Sequence, residues 1–198
     1  MNLEEFRTLF IVAILVVALV VASPALAIFL PEVGSERFSE FWLLNSEHMA
    51  DDFPYDVGVD EMYNVFIGIG NHMGGSEYYL VYLKFGNVTQ GFPDIDGGVA
   101  SSLEPLYEYR LFVDDGDSWE SSLTFGFEDV FVQDDFLVVG NVVVNGVSFP
   151  VDASALVAAE GGGFFFQLFF ELWRYDLVSE SFRFDDRFVG LQLNMIAS

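Results

Sequence analysis

The pattern of apolar and polar positions changes abruptly along the chain. Residues 9–30 read LFIVAILVVALVVASPALAIFL, without a charge. A helix over them, rising about 1.5 Å per residue, is long enough for a bilayer core of about 30 Å. No other run in the sequence is. From Pro31 on, short blocks alternate apolar with polar or run apolar throughout, and turn residues separate them. Alternation with period two is the mark of a strand with one buried face. It predicts strands over Phe38–Leu44, Met62–Met73, Glu77–Phe85, Leu106–Val113, Trp119–Phe127, Phe136–Val144, Val147–Val151, Gly163–Tyr175 and Arg187–Asn194. Asn145-Gly146 and Gly74-Gly75 read as hairpin turns. Trp119–Phe127 reads as the return strand after Leu106–Val113.

No segment between these strands has a helical period with caps. Residues 89–105 form the longest loop, and 153–162 a second irregular or short helical piece. The expected fold is mainly β: a single N-terminal transmembrane helix, then an antiparallel immunoglobulin-like β-sandwich. The chain has no cysteine, so any immunoglobulin likeness is architectural and lacks the Cys…Trp…Cys pattern. The expected division is residues 1–8 as a short cytoplasmic segment, 9–30 as the membrane helix and 31–198 as one extracytoplasmic domain.

Charge narrows the function. The formal net charge is −24, and Lys84 is the sole lysine. Such a surface repels nucleic acid and anionic headgroups, so nucleic acid is not an expected partner. Solubility through self-repulsion explains the acidity most simply; a salty medium or diffuse divalent-cation binding are alternatives. The absence of cysteine excludes disulfides and thiolate metal sites. The hydrophobic content of 53%, with 23 phenylalanines, excludes a disordered tail.

Three readings of residues 9–30 compete. A cleaved signal peptide could end at Ala25-Leu26-Ala27, but Met1–Thr8 has two glutamates and one arginine, and the apolar run continues through Leu30. An uncleaved anchor fits better. A pilin-like spine is suggested by Glu5, but the basic leader that precedes such helices is absent. Arg7 precedes the run and places the N-terminus in the cytoplasm by the positive-inside rule. The sequon Asn87-Val88-Thr89, a candidate glycosylation site at Asn87, agrees with a domain outside the cell membrane.

Candidate chemistry is sparse. Asp114-Asp115-Gly116-Asp117 with Glu120 offers oxygen ligands for calcium but not the EF-hand spacing; a solvated turn also explains it. Asp51, Asp52, Asp56, Asp60 and Glu61 flank Phe53-Pro54-Tyr55 and could supply a carboxylate pair for glycoside hydrolysis, or an exposed acidic loop. His48 and His72, with carboxylates, could bind zinc or iron, or make turn contacts. No G-x-S-x-G supports a hydrolase, and Gly68-Ile69-Gly70 is followed by no helix. No catalytic residue, cofactor or metal is therefore expected. The run Phe164 to Trp173 has more rings than one buried face needs. Phe164, Phe166, Phe170 and Trp173 are the candidate interaction surface, packing under a loop, on the membrane surface or against a partner subunit, with core packing alone as the alternative.

The strings MNLEEFRTLF, SERFSEFWLL, NHMGGSEYYLVYLKFGNVTQ, SSLEPLYEYRLFVDDGDSWESSLTFGF and FFFQLFFELWRYDLVSESFRFDDRFVGLQLNM resemble, in this order, an archaeal family of membrane proteins called domain of unknown function 1616. The resemblance implies a membrane-anchored, extracytoplasmic β-sandwich, and it implies a glycosylatable position at Asn87. It brings no catalytic residue. Some relatives have several membrane helices where this chain has one apolar run. The expectation is a single-pass protein of the archaeal cell envelope, contacting lipid through residues 9–30 and a protein partner or its own copies through the domain. It would serve structure or protein interaction and would not be an enzyme. The alternatives are a filament subunit with the N-terminal helix in the filament core, or an envelope enzyme acting on glycans through Asp51–Glu61.

Overall fold

In a computed structural model, which describes residues 6–7, 9–18, 20, 36–158 and 163–196, the alternating segments pair into two sheets. The strands are β1 (Phe38–Leu44), β2 (Asp56–Val57), β3 (Met62–His72), β4 (Glu77–Asn87), β5 (Tyr107–Val113), β6 (Ser118–Gln133), β7 (Phe136–Val144), β8 (Val147–Leu156), β9 (Phe164–Asp176) and β10 (Ser181–Met195). The first sheet has the order β1-β3-β6-β7-β8, and the second β2-β10-β9-β4-β5. Among the described residues every strand pair is antiparallel except β2 with β10.

Period two sorts the side chains. Val65, Ile67 and Ile69 of β3 and Leu123, Phe125 and Phe127 of β6 are fully buried on the inner face of the first sheet. Tyr79, Val81 and Leu83 of β4 and Phe166, Leu168, Phe170 and Leu172 of β9 meet them from the second. In β7 the inward positions change from Leu137 and Val139 to Val142 and Val144. The change falls at a β-bulge, where Val139–Asn141 stand opposite Pro150–Ala153 and the extra residue is in β8.

Two expected connections are different in kind. β3 belongs to the first sheet and β4 to the second, so Gly74-Gly75 is a crossing between sheets and not a hairpin. β5 to β6 crosses back in the same way, and Trp119 does not return along β5. The two crossings are tied side by side. The Asn71 and Gly116 N–H groups donate to Asp117 and Asn71 carbonyls. Asp115 accepts from the Gly74 N–H, and Asp114 from the Ser76 hydroxyl. Asn145-Gly146 does form a hairpin, joining β7 and β8 with φ of 50° and 78°, the left-handed pair that a tight primed turn requires.

One polar network joins the sheets. The Tyr79 hydroxyl of β4 bonds Ser39 of β1 at 2.9 Å and Asn71 of β3 at 3.3 Å. Asn71 also donates to the Gly75 and Val113 carbonyls, both at 2.8 Å. These groups lie in the dry end of the core, where each unmet bond is costly.

The compact unit begins at Phe38, a few residues after the expected Pro31. Before it, residues 9–18 and 20 are helical. Among the described residues no helix is long and apolar enough to cross a membrane. The second half of the apolar run, with Ala25–Ala27, and Glu5 lie outside the described residues.

Two predictions follow from the packing. Phe170→Ala should cost about 3–5 kcal/mol in a urea titration, the usual loss for a large ring removed from a closed core; a loss below 1 kcal/mol would contradict its placement. Burial raises the Tyr79 phenol above its usual value. The neutral phenol is thus the folded form. Its contribution is complete below the unfolded pKa of about 10 and is lost as pH rises through the higher folded value. Unfolding midpoints between pH 9 and 12 should fall less steeply in Tyr79→Phe than in the parent; equal slopes would argue against the network.

A half-covered aromatic face on the second sheet

The outward side of the second sheet is built from the positions that alternate with its core residues. Across β5, β4, β9 and β10 the register sets Phe112 beside Tyr78 and Tyr175 beside Phe182. Further along, Leu80 lies beside Trp173 and Trp173 beside Phe184. Then come Tyr82 beside Glu171, and Lys84 beside Phe169. A sheet face of this composition cannot be left wholly in water.

The β4–β5 connection, residues 88–106, covers one half of it. Phe92 lies 5.4 Å from the Phe169 ring and stacks on Phe188 at 5.1 Å. Beneath the loop sits a buried ion pair: Lys84 Nζ is 2.9 Å from Glu171 Oε2, with the side chains 4% and 0% exposed. Lys84 also donates to the Ser101 carbonyl at 2.7 Å, and Glu171 Oε1 accepts the Ser101 N–H at 2.7 Å. The Trp173 indole N–H donates to Glu171 Oε2 at 3.1 Å. The pair thus pins both backbone groups of one loop residue. A buried pair of charges is tolerated when its remaining donors and acceptors are met in this way.

The other half is open. Tyr78 and Phe112 stack at 4.3 Å with 9° between planes, and Phe112 remains 73% exposed. Phe182 meets Tyr78 edge-on at 4.9 Å, and the Arg110 guanidinium lies 5.6 Å over the Phe182 ring. Beside these rings is a pocket of about 660 Å³ whose walls include Glu77, Arg174, Asp176 and Asp185. Arg174 Nε donates to Asp185 Oδ1 at 3.2 Å, and its Nη1 is 3.7 Å from Glu77. Burial alone would lower the Arg174 pKa, but the bond and charge of Asp185, then Glu77, raise it. The Val178 N–H holds the Asp176 carboxyl below its usual value, aided by Ser179 and Arg183. Asp185 stands at a bulge in β10 where Asp186 has φ 51°. Bulges of this kind re-aim side chains beside sites.

The expected interaction surface is corrected by this arrangement. Phe166 and Phe170 point inward and are fully buried, and Phe164 packs against the same core. Trp173 does face outward, half-buried against Tyr82 and Phe184. The outward rings of β9 include Phe169, which the loop covers. The open face uses Tyr78, Phe112, Tyr175 and Phe182, which sequence reasoning did not single out; they come from four strands and share no local signal.

The other candidates serve the fold. Asp114 and Asp115 tie the two crossings, while Glu120, on β6, accepts from the Trp42 indole at 3.1 Å and pairs with His48 at 3.1 Å. His48 stacks on Phe66, and His72 on Phe38 with Glu40 at 3.7 Å. Phe66 and His72 are six positions apart on β3, about 20 Å at strand rise, so the histidines do not converge on one ion. Among the described residues no group of three or more His, Asp or Glu is arranged for a metal. Asp56 accepts from Asn194, and Glu61 from the Tyr63 hydroxyl, so each has a separate contact. Gly68 makes room for Trp42, whose ring would lie 2.1 Å from a Cβ there. Asn87 turns the chain into the loop: its Oδ1 accepts from the Thr89 N–H and hydroxyl, and its Nδ2 donates to the Ser154 carbonyl at 2.7 Å.

The structure therefore defines a β-sandwich domain with a half-covered aromatic face. A family model described as a domain of unknown function, DUF1616, matches residues 31–133, just over half of the chain, and the protein belongs to that family. No curated protein matches it. Among solved structures it is similar to a β-glucosidase from Listeria innocua in complex with isofagomine, at 11% identity and TM-score 0.37 over 81% of this chain and 16% of that one. It is also similar to the CARDB domain of the PF1109 protein from Pyrococcus furiosus in complex with di-metal ions, at 6% identity and TM-score 0.39 over 84% and 95%. A third is the human CEP192 PapD-like domain, at 8% and 0.30 over 80% and 84%. These likenesses are too distant to carry functional weight.

The buried pair can be tested directly. Glu171→Gln should cost about 3–5 kcal/mol by urea unfolding, because it strands the Lys84 charge, whereas Lys84→Met with Glu171→Leu should cost much less. Equal losses in the single and double variants would show that the charges are not buried together.

Proposed function

We propose that this chain is a membrane-held interaction module of the archaeal cell envelope, non-catalytic, with its domain outside the cell. The open half of the second sheet's outer face is where it meets its partner. The observation that carries this is Phe112, 73% exposed at the end of a row of four rings on a face whose other half the protein covers itself. Contiguous exposed apolar surface of this kind marks binding sites. Residues 9–30 support the anchor, and the parallel β2–β10 pair closing a β10-β9-β4-β5 sheet supports an immunoglobulin-like topology.

The lack of cysteine makes a labelling test clean. Leu177→Cys, on the wall of the open pocket, and Val147→Cys, on the first sheet, place one thiol each at exposed positions and leave the Phe112 ring in place. In intact cells both should react with a membrane-impermeant maleimide. The thiol at 177 should react several-fold more slowly than in the purified chain, and the one at 147 at the same rate in both. Reaction only after lysis would refute the outside location. Equal rates at 177 in cells and in purified chain would refute an occupied face.

A further inference from the structure

We propose that the pocket at the open end of the second sheet binds a neutral sugar chain, a deduction that rests on the reading of this face as a partner site. Its volume of about 660 Å³ is that of small-ligand sites and has room for several sugar rings. One face of the Phe112 ring is taken by Tyr78, and the ring remains mostly in water. The C–H side of a pyranose is apolar and carries slight positive charge, so it packs on the electron-rich face of such a ring.

The walls supply the complementary half of the chemistry. Asp185 is 11% exposed, and its Oδ2 is buried and accepts no hydrogen bond among the described residues. Arg187 Nη1 lies 3.6 Å from that oxygen. Arg174, Asp176 and Asp185 offer planar donors and acceptors of the kind that paired hydroxyls satisfy. An apolar protein surface docked here would take water from these ion pairs and offer nothing to their remaining donors and acceptors, which is costly.

Charge decides between ligand classes. From Phe38 on, all five lysine and arginine residues lie on the second sheet, and each is already paired: Lys84 with Glu171, Arg110 with Glu108, Arg174 with Asp185 and Glu77, Arg183 with Asp176, and Arg187 with Asp185. None of these five is left over for an anion at this face, and the net charge of −24 repels one. An organic cation would find Glu77, Asp185 and Asp176 of the pocket wall already paired with Arg174 and Arg183, with Asp186 as the remaining carboxylate. A neutral, hydroxyl-rich ring meets neither obstacle.

The test is calorimetric titration of the full chain, held in a detergent without a sugar headgroup. The probes are neutral hexasaccharides of glucose, mannose, galactose and N-acetylglucosamine, with a heparin hexasaccharide as the anionic control. At least one neutral probe should bind at millimolar concentration or below, and heparin should not. Phe112→Ala should weaken binding about three- to tenfold, the size of one aromatic contact, and Phe112→Trp should preserve it. Asp185→Asn, checked for an unchanged melting temperature, should weaken it as well; if that variant melts early, the Phe112 pair alone decides. No neutral binding, binding indifferent to Phe112→Ala, or tighter binding of heparin would each overturn the proposal. If the probes fail while the thiol of Leu177→Cys is still protected in cells, the partner face stands and the sugar does not.

Discussion

The rest of the structure depends on β4 and β9 being buried on both faces. They are the inner strands of the second sheet, and their core sides fill the sandwich with Tyr79, Val81, Leu83, Phe166, Leu168, Phe170 and Leu172. Their outer sides carry Leu80, Lys84, Phe169 and Glu171, which are almost fully removed from water. A strand with two dry faces becomes a nearly unbroken hydrophobic run, and FFFQLFFELW is that run. Any charge within it has to find its opposite there. The sole lysine of the chain sits on β4 and faces Glu171 on β9 for that reason.

The pair then organises what covers it. By holding both the N–H and the carbonyl of Ser101, it fixes the β4–β5 loop over one half of the face. Phe92 adds an aromatic cap over Phe169 and Phe188. The cover leaves Phe112 and the half-buried Tyr78, Tyr175 and Phe182 at the open end. There the β10 bulge and the Tyr79–Asn71–Ser39 network close the end of the sandwich beside the pocket. The first sheet has no lysine or arginine in its strands, so attraction and aromatic surface are both concentrated on the second.

Alternation made most of the sandwich legible. Phe38–Leu44 is identical in sequence and structure, and the Asn145-Gly146 hairpin needed only its two left-handed residues. What escaped was decided at long range. β2 is two residues held only by a parallel partner far along the chain, so it has no local period. β6, β8 and β10 run longer than their apolar blocks because positive-φ positions at Asp129, Asp152 and Asp186 are absorbed within the strands. Gly74-Gly75 has the composition of a hairpin, but the sheets that its neighbours join decide otherwise. The surplus rings of β9 were visible in the sequence; the loop that covers half of them was not, because the clamp joins residues 84, 101 and 171.

The most direct measurement is hydrogen exchange of the Ser101 amide in the full chain. If the Lys84–Glu171 pair holds the loop onto the second sheet, this amide exchanges through large-scale opening, with protection close to that of Leu83 and Phe170 in the core strands. Exchange at the rate of an open loop, with β4 and β9 still protected, would mean that the loop is not fixed. The half-covered face, and the account built on it, would then be wrong.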